Sequence, residues 1–145
     1  MSLQAFLNYY LENKGPSMEI SVAMLDGQKL SAKFGDHEVI SDQSLAAGGN
    51  AEHPEPFDYF LVSMVLCAGF YARKFCQQRD ISTQGMSLKQ NNENVDADGK
   101  KLFSIEITLP DGFPDKYKKA LVAAVNTCTV KKVIQAVPEF SVVVK

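Results

Sequence analysis

The sequence holds only two histidines and three cysteines in 145 residues, and no Cys-x-x-Cys pair. That excludes the ligand spacing of a tetrahedral zinc site, so no metal and no cofactor is expected. Three cysteines without a pairing pattern fit a reducing compartment better than a stapled secreted domain, and the cytoplasm is the expected location. Positive charge is not in excess either. Fifteen Lys and Arg face 17 Asp and Glu, for a net charge of −2 and a pI near 5.7. No broad basic field is present to attract nucleic acid. The chain does not open on a basic segment followed by an apolar one, so no signal peptide is expected. Its longest apolar stretch, from about Tyr59 to Ala72, falls short of the ~18 to 20 residues that span a bilayer. It reads as a buried core helix, and no membrane partner is expected. Arginine is scarce, and none precedes Arg73.

What is present suits one globular domain: 46% apolar and 22% charged residues in a chain of single-domain length. Leu3, Phe6, Leu7, Tyr10 and Leu11 recur at helical spacing, and Gly15-Pro16 ends that pattern. Residues 1–16 are therefore expected to form a helical extension to a domain over 17–145. Three strands should follow, over Glu19–Leu25, Lys29–Phe34 and His37–Ser41. Asp26-Gly27 and Gly35-Asp36 read as two-residue hairpin turns, which make the neighbours antiparallel. Residues 43–55 are small, polar and Gly-rich, and read as a loop.

Pro56 suits the first turn of a helix, where its missing N–H costs nothing, and Asp58 falls where the helix dipole favours negative charge. A spine helix is expected from about Phe57 to Arg79, apolar on every side at first and basic at its end. Ile81–Gln90 and Leu102–Leu109 read as strands around a polar loop. A further amphipathic helix covers about Pro114–Asn126, a short helical piece Thr129–Ala136, and a terminal strand Phe140–Val144. Asn94-x-Asp96-x-Asp98-Gly99 resembles the front of a calcium loop, but Ile105 stands where its bidentate carboxylate belongs, so a hairpin turn is expected. His37 and His53 have no Ser, Asp or second His at a diagnostic spacing.

The cysteines carry the remaining chemistry. Taken alone, Cys67 within an apolar helix reads as a small core residue. Cys128 lies between two helical patterns with Lys131 and Lys132 just beyond, a setting that lowers a thiol pKa, while burial would raise it. Cys76 lies nine residues after Cys67, on the opposite side of a helix, and reads as a bystander.

Pro56-Phe57-Asp58-Tyr59-Phe60-Leu61-Val62-Ser63-Met64-Val65-Leu66-Cys67 resembles the Pro-x-Glu-Leu-Leu-Leu-Ala-Ala-x-x-x-Cys signature of the OsmC/Ohr family. Leu109–Tyr117 followed by Asn126-Thr127-Cys128-Thr129-Val130-Lys131-Lys132 resembles that family's second half, in which a helix leads to Cys-Pro-Val-x-Lys/Arg. The likeness runs from about Glu19 to Val144. It implies an α+β fold in which antiparallel sheets wrap two long central helices, in an intertwined homodimer with sites at the subunit interface. A spine helix apolar all round is also more easily covered by two subunits than by one.

The resemblance further implies a thiol-dependent reductase of organic hydroperoxides or hydrogen peroxide, an enzyme of oxidative-stress defence. Cys67 would be the attacking thiolate, Cys128 the resolving thiol, and an external dithiol the reductant. Phe57, Phe60, Met64 and Phe70 would offer apolar walls to the substrate. Two positions depart from the family pattern: Phe57 stands where the peroxidase branches carry a carboxylate, and their early arginine is missing. Asp58, Glu55, Lys29 and Lys33 are the candidates to activate or orient the thiol in their place, although lysine is a point charge rather than a planar fork. Thr129 replaces the usual proline. The same departures suit a rival reading, a catalytically weak dimer that binds a small apolar ligand or senses redox state.

Overall fold

The computed structural model describes residues 18–144 apart from residue 96. The helix expected over Leu3–Asn13 lies outside the described residues. The chain forms two compact units, one up to Phe60 and one from Leu61 onward. The architecture is α+β, with antiparallel sheets and helices.

The first unit holds a three-stranded antiparallel meander of β1 (Ser21–Met24), β2 (Leu30–Phe34) and β3 (His37–Ser41). Phe34 pairs with His37, so Gly35-Asp36 is the expected two-residue turn, with Gly35 at a φ of 54° that a side chain would disfavour. The first hairpin is longer than expected. Met24 pairs with Leu30, and the Leu25 N–H donates to the Lys29 carbonyl at 2.9 Å, so Asp26, Gly27 and Gln28 together make the turn.

The Gly-rich segment after β3 is a loop with a specific anchor. Asp42 is 1% exposed. Its carboxylate accepts the backbone N–H of Gln43 at 2.8 Å and those of Asn50 and Glu52 at 3.1 Å each. The loop closes so tightly that a Cβ on Gly49 would lie 2.1 Å from the Gln43 carbonyl oxygen. A short 3-10 turn, Leu45–Ala47, sits inside it. The loop leads into α1 (Pro56–Gln77), whose Asp58 accepts the Glu55 N–H at 2.9 Å and so caps the helix start. In the same unit the Tyr59 hydroxyl donates to the Ile40 carbonyl at 2.6 Å.

The second unit packs the rest of α1 against β4 (Ser87–Asn94), β5 (Lys101–Thr108), α2 (Lys118–Asn126) and α3 (Thr129–Gln135). Ala68, Ala72, Phe75 and Cys76 of α1 join Phe113, Leu121 and Val125 in its core, with Leu88, Ile105 and Ile107 from the hairpin packed against them. The helix ends at Gln77, two residues earlier than expected. Arg79 then turns back, lies 3.8 Å over the Phe75 ring and donates to the Phe75 carbonyl at 3.1 Å.

Four expectations are corrected here. β4 begins at Ser87 rather than Ile81 and continues through polar Asn91–Asn94, because those residues pair in register with Lys101–Ser104 and backbone hydrogen bonds do not require apolar side chains. Residues 140–144 join no strand. Phe140 and Val142 are 90% and 95% exposed, and a strand forms only against a partner ladder. The helix expected from Pro114 begins only at Lys118, after a 3-10 turn over Asp115–Tyr117. Finally, α1 has 22 residues and is long and apolar enough, by length and composition only, to cross a membrane, although its inward face is core.

The Asp42 anchor gives a first prediction. Its pKa is lowered by the backbone N–H of Gln43 first, against burial, with further help from the N–H groups of Glu52 and Asn50. A depressed folded-state pKa contributes stability above the unfolded carboxyl value, about pH 4, and loses it as pH falls through the folded one. Asp42→Ala should lower the melting temperature by several degrees at neutral pH. The gap to wild type should narrow in acid, as followed by circular dichroism.

Candidate functional site

The site lies in the second unit, at the two residues between α2 and α3. Thr127 caps the end of α2, with its hydroxyl donating to the Ala124 carbonyl at 2.7 Å. Cys128 then adopts an extended backbone (φ −56°, ψ 137°) and caps α3, its sulfur accepting the Lys131 N–H at 3.4 Å. The helix breaks here because Thr and Cys make local hydrogen bonds that compete with the helical ladder. The result is that Cys128 is fully buried.

Cys67 faces this junction from the middle of α1. It is half-buried, and both cysteines are free thiols. Cys128 acts on the Cys67 thiol, and so do the backbone N–H groups of Val130 and Thr129. These influences oppose one another. Burial pushes the Cys67 pKa up, Val130 pulls it down, Cys128 pushes it up both as a hydrogen-bonding partner and by charge, and Thr129 pulls it down. The balance is a raised pKa, with burial the largest cause.

Tyr71 is the member of the site that sequence reasoning missed. It follows Cys67 by one helical turn, is 1% exposed, and its hydroxyl lies 2.9 Å from the Thr129 hydroxyl. Its pKa is raised, by burial first and also by the charges of Cys67 and Cys128. The i, i+4 spacing from Cys67 was the available signal.

The remaining candidates fall as follows. Met64 lines a cavity of about 200 Å3 with Gln90, Phe103, Ile105, Lys131 and Ile134. Phe70 lines a separate open groove of about 480 Å3 with Val65, Leu66, Arg73 and Met86. Phe57 and Phe60 belong to the first unit and stack on each other at 5.5 Å. The charged candidates have partners within that unit. Lys29 pairs with Glu52 at 3.0 Å and Asp26 at 3.1 Å, and Lys33 approaches Glu38 at 4.0 Å. Glu55 accepts the Ser44 N–H at 2.8 Å. Cys76 sits in the core, its pKa raised by burial. Among the described residues no group of three His, Cys, Asp or Glu side chains gathers to hold a metal.

Fold and site together define an α+β protein with one half-buried thiol on its spine helix and one buried thiol at the junction of α2 and α3. The chain belongs to the OsmC family: the model of the OsmC-like protein family matches residues 48–143. Solved structures agree in fold. One from Psychrobacter arcticus, described as an osmotic stress induced and detoxification response protein, is 23% identical, with 81% of this chain and 88% of that one covered and a TM-score of 0.65. An OsmC-like protein from Mycoplasma pneumoniae is 15% identical, over 84% and 89% of the two chains, with a TM-score of 0.60. An organic hydroperoxide resistance protein OsmC from Legionella pneumophila is 16% identical, over 83% and 91%, with a TM-score of 0.52. No curated protein matches the chain.

The thiol environment generates the second prediction. Iodoacetamide alkylation of Cys67, followed by peptide mass spectrometry, should show a pH midpoint above that of a free thiol, about 8.5. Because both effects of Cys128 raise the Cys67 pKa, Cys128→Ala should move that midpoint down. A midpoint that stays in place would show that the two sulfurs do not interact.

Proposed function

We propose that this protein is a thiol-dependent reductase of organic hydroperoxides or hydrogen peroxide. The observation that supports the reading is the influence of Cys128 on Cys67, with the Val130 and Thr129 N–H groups also acting on Cys67. The Cys67 thiolate attacks one oxygen of the O–O bond. The other oxygen leaves with its organic group, takes a proton and departs as an alcohol, while Cys67 becomes a sulfenic acid. The Cys128 thiol then displaces that hydroxyl as water and forms the Cys67–Cys128 disulfide. An external dithiol restores both thiols and is itself oxidised to a disulfide. The names of structural relatives as organic hydroperoxide resistance proteins support this class of substrate. The cavity lined by Met64, Phe103 and Ile105 offers an apolar wall for its organic part.

The raised Cys67 pKa favours a second reading. A mostly protonated thiol reacts slowly, which suits a sensor or a binder of a small apolar molecule. In either reading the working form is a homodimer. Val62, Leu66 and Phe70 recur one turn apart as an exposed apolar stripe on α1, which a second copy would cover.

Two measurements test this. One equivalent of cumene hydroperoxide should produce a Cys67–Cys128 disulfide. With dihydrolipoamide, Cys67→Ser should abolish peroxide consumption, while Cys128→Ser should retain the first turnover but slow regeneration by at least about tenfold. Equal consumption by wild type and Cys67→Ser would leave only the binder. Light scattering should give twice the chain mass, and Leu66→Lys should shift it toward the monomer. A monomeric wild type overturns the dimer.

A further inference from the structure

We propose that the hydrogen bond between Tyr71 and Thr129 clamps the backbone of residues 128–130 over Cys67, which makes Tyr71 a positioning residue for the cysteine pair. The inference rests on Cys67 being the reacting thiol in the function proposed above, and adds a residue that the two-cysteine scheme does not contain.

Thr129 is connected in three directions at once. Its hydroxyl lies 2.9 Å from the Tyr71 hydroxyl, its N–H acts on Cys67, and its peptide bond joins it to Cys128. Tyr71 stands one turn after Cys67 on the same face of α1. Whatever holds Tyr71 to Thr129 therefore holds the second cysteine segment against the first. A fully buried phenol must find a polar partner or pay its desolvation, so the pair is not an incidental surface contact.

Thr129 occupies the place of the proline in the Cys-Pro-Val pattern that this segment resembles. Proline there has neither an N–H for Cys67 nor a hydroxyl for Tyr71. Threonine supplies both, and the N–H favours the thiolate that burial disfavours. The ring of Tyr71 stays neutral as Cys67 ionises, because burial and thiolate charge both raise its pKa. Among the described residues of the second unit, Cys128 acts on Cys67, and Cys67 acts on Tyr71. The Lys131 ammonium, on the facing helix, is turned to the Asn126 side chain at 3.3 Å.

The test uses the full chain and two readouts that do not require peroxidase activity. One is the pH profile of Cys67 alkylation. The other is the rate of Cys67–Cys128 bridging by diamide, whose N=N bond takes the two thiol hydrogens and becomes a hydrazine as the disulfide forms. Tyr71→Phe keeps the ring and removes one oxygen. It should move the alkylation midpoint to higher pH and slow bridging about tenfold. Thr129→Val should do the same, and Thr129→Ser should stay close to wild type. The double variant Tyr71→Phe with Thr129→Val should be no worse than Tyr71→Phe alone, since losing the phenol oxygen already removes the hydroxyl pair that Thr129→Val breaks. Unchanged midpoint and bridging rate in Tyr71→Phe, or fully additive effects, would overturn the clamp. If Tyr71→Phe does not fold, a Thr129→Val variant no different from Thr129→Ser overturns it instead. Wild type that bridges with diamide but not with cumene hydroperoxide would sink the reductase reading and leave the clamp standing. Normal peroxide turnover with an unmoved midpoint in Tyr71→Phe would do the reverse.

Discussion

The chemistry of this chain depends on a break two residues long. Between α2 and α3 the backbone leaves the helix at Thr127, is extended at Cys128 and re-enters the helix at Thr129. That single extended residue points a sulfur inward and frees the next two N–H groups from helical hydrogen bonding. A continuous helix through 118–135 would have spent those N–H groups on its own carbonyls. The opposing helix α1 contributes Cys67 and, one turn on, Tyr71. The site is thus assembled from one long regular element and one deliberate irregularity, and burial is what makes each hydrogen bond across it matter.

Burial also sets the limit on reactivity. It is the largest influence on the Cys67 thiol and, together with Cys128, leaves its pKa raised despite the surrounding N–H groups. The cost of keeping a charged sulfur in a half-buried position is therefore only partly offset within the second unit. The charged side chains of the first unit are engaged with one another, Lys29 with Asp26 and Glu52, and Lys33 with Glu38. Exposed pairs of this kind hold a loop in shape more than they add stability.

Much of this was legible in the sequence. The meander, the spine helix and the break before Thr129 all follow from turn residues and hydrophobic period, and the OsmC resemblance rested on the two cysteine segments. Three things were not legible, each for a physical reason. The polar end of β4 is held by backbone pairing with β5, which leaves no hydrophobic signature at Asn91–Asn94. The segment 140–144 reads as a strand but finds no partner ladder among the described residues, and a sequence pattern does not name its partner. Tyr71 looked like one more aromatic in an apolar run, because its meaning depends on Thr129, fifty-eight residues away.

The loop after β3 has an evolutionary consequence. Asp42 grips backbone N–H groups at Gln43, Asn50 and Glu52, none of which depends on the side chain carried there. Gly49 is barred from growing by the Gln43 carbonyl, and Gly48 by its left-handed φ of 85°. Selection acting on the shape of this loop therefore falls on Asp42 and these two glycines. The side chains at Gln43, Asn50 and Glu52 can change without loosening the grip on their N–H groups.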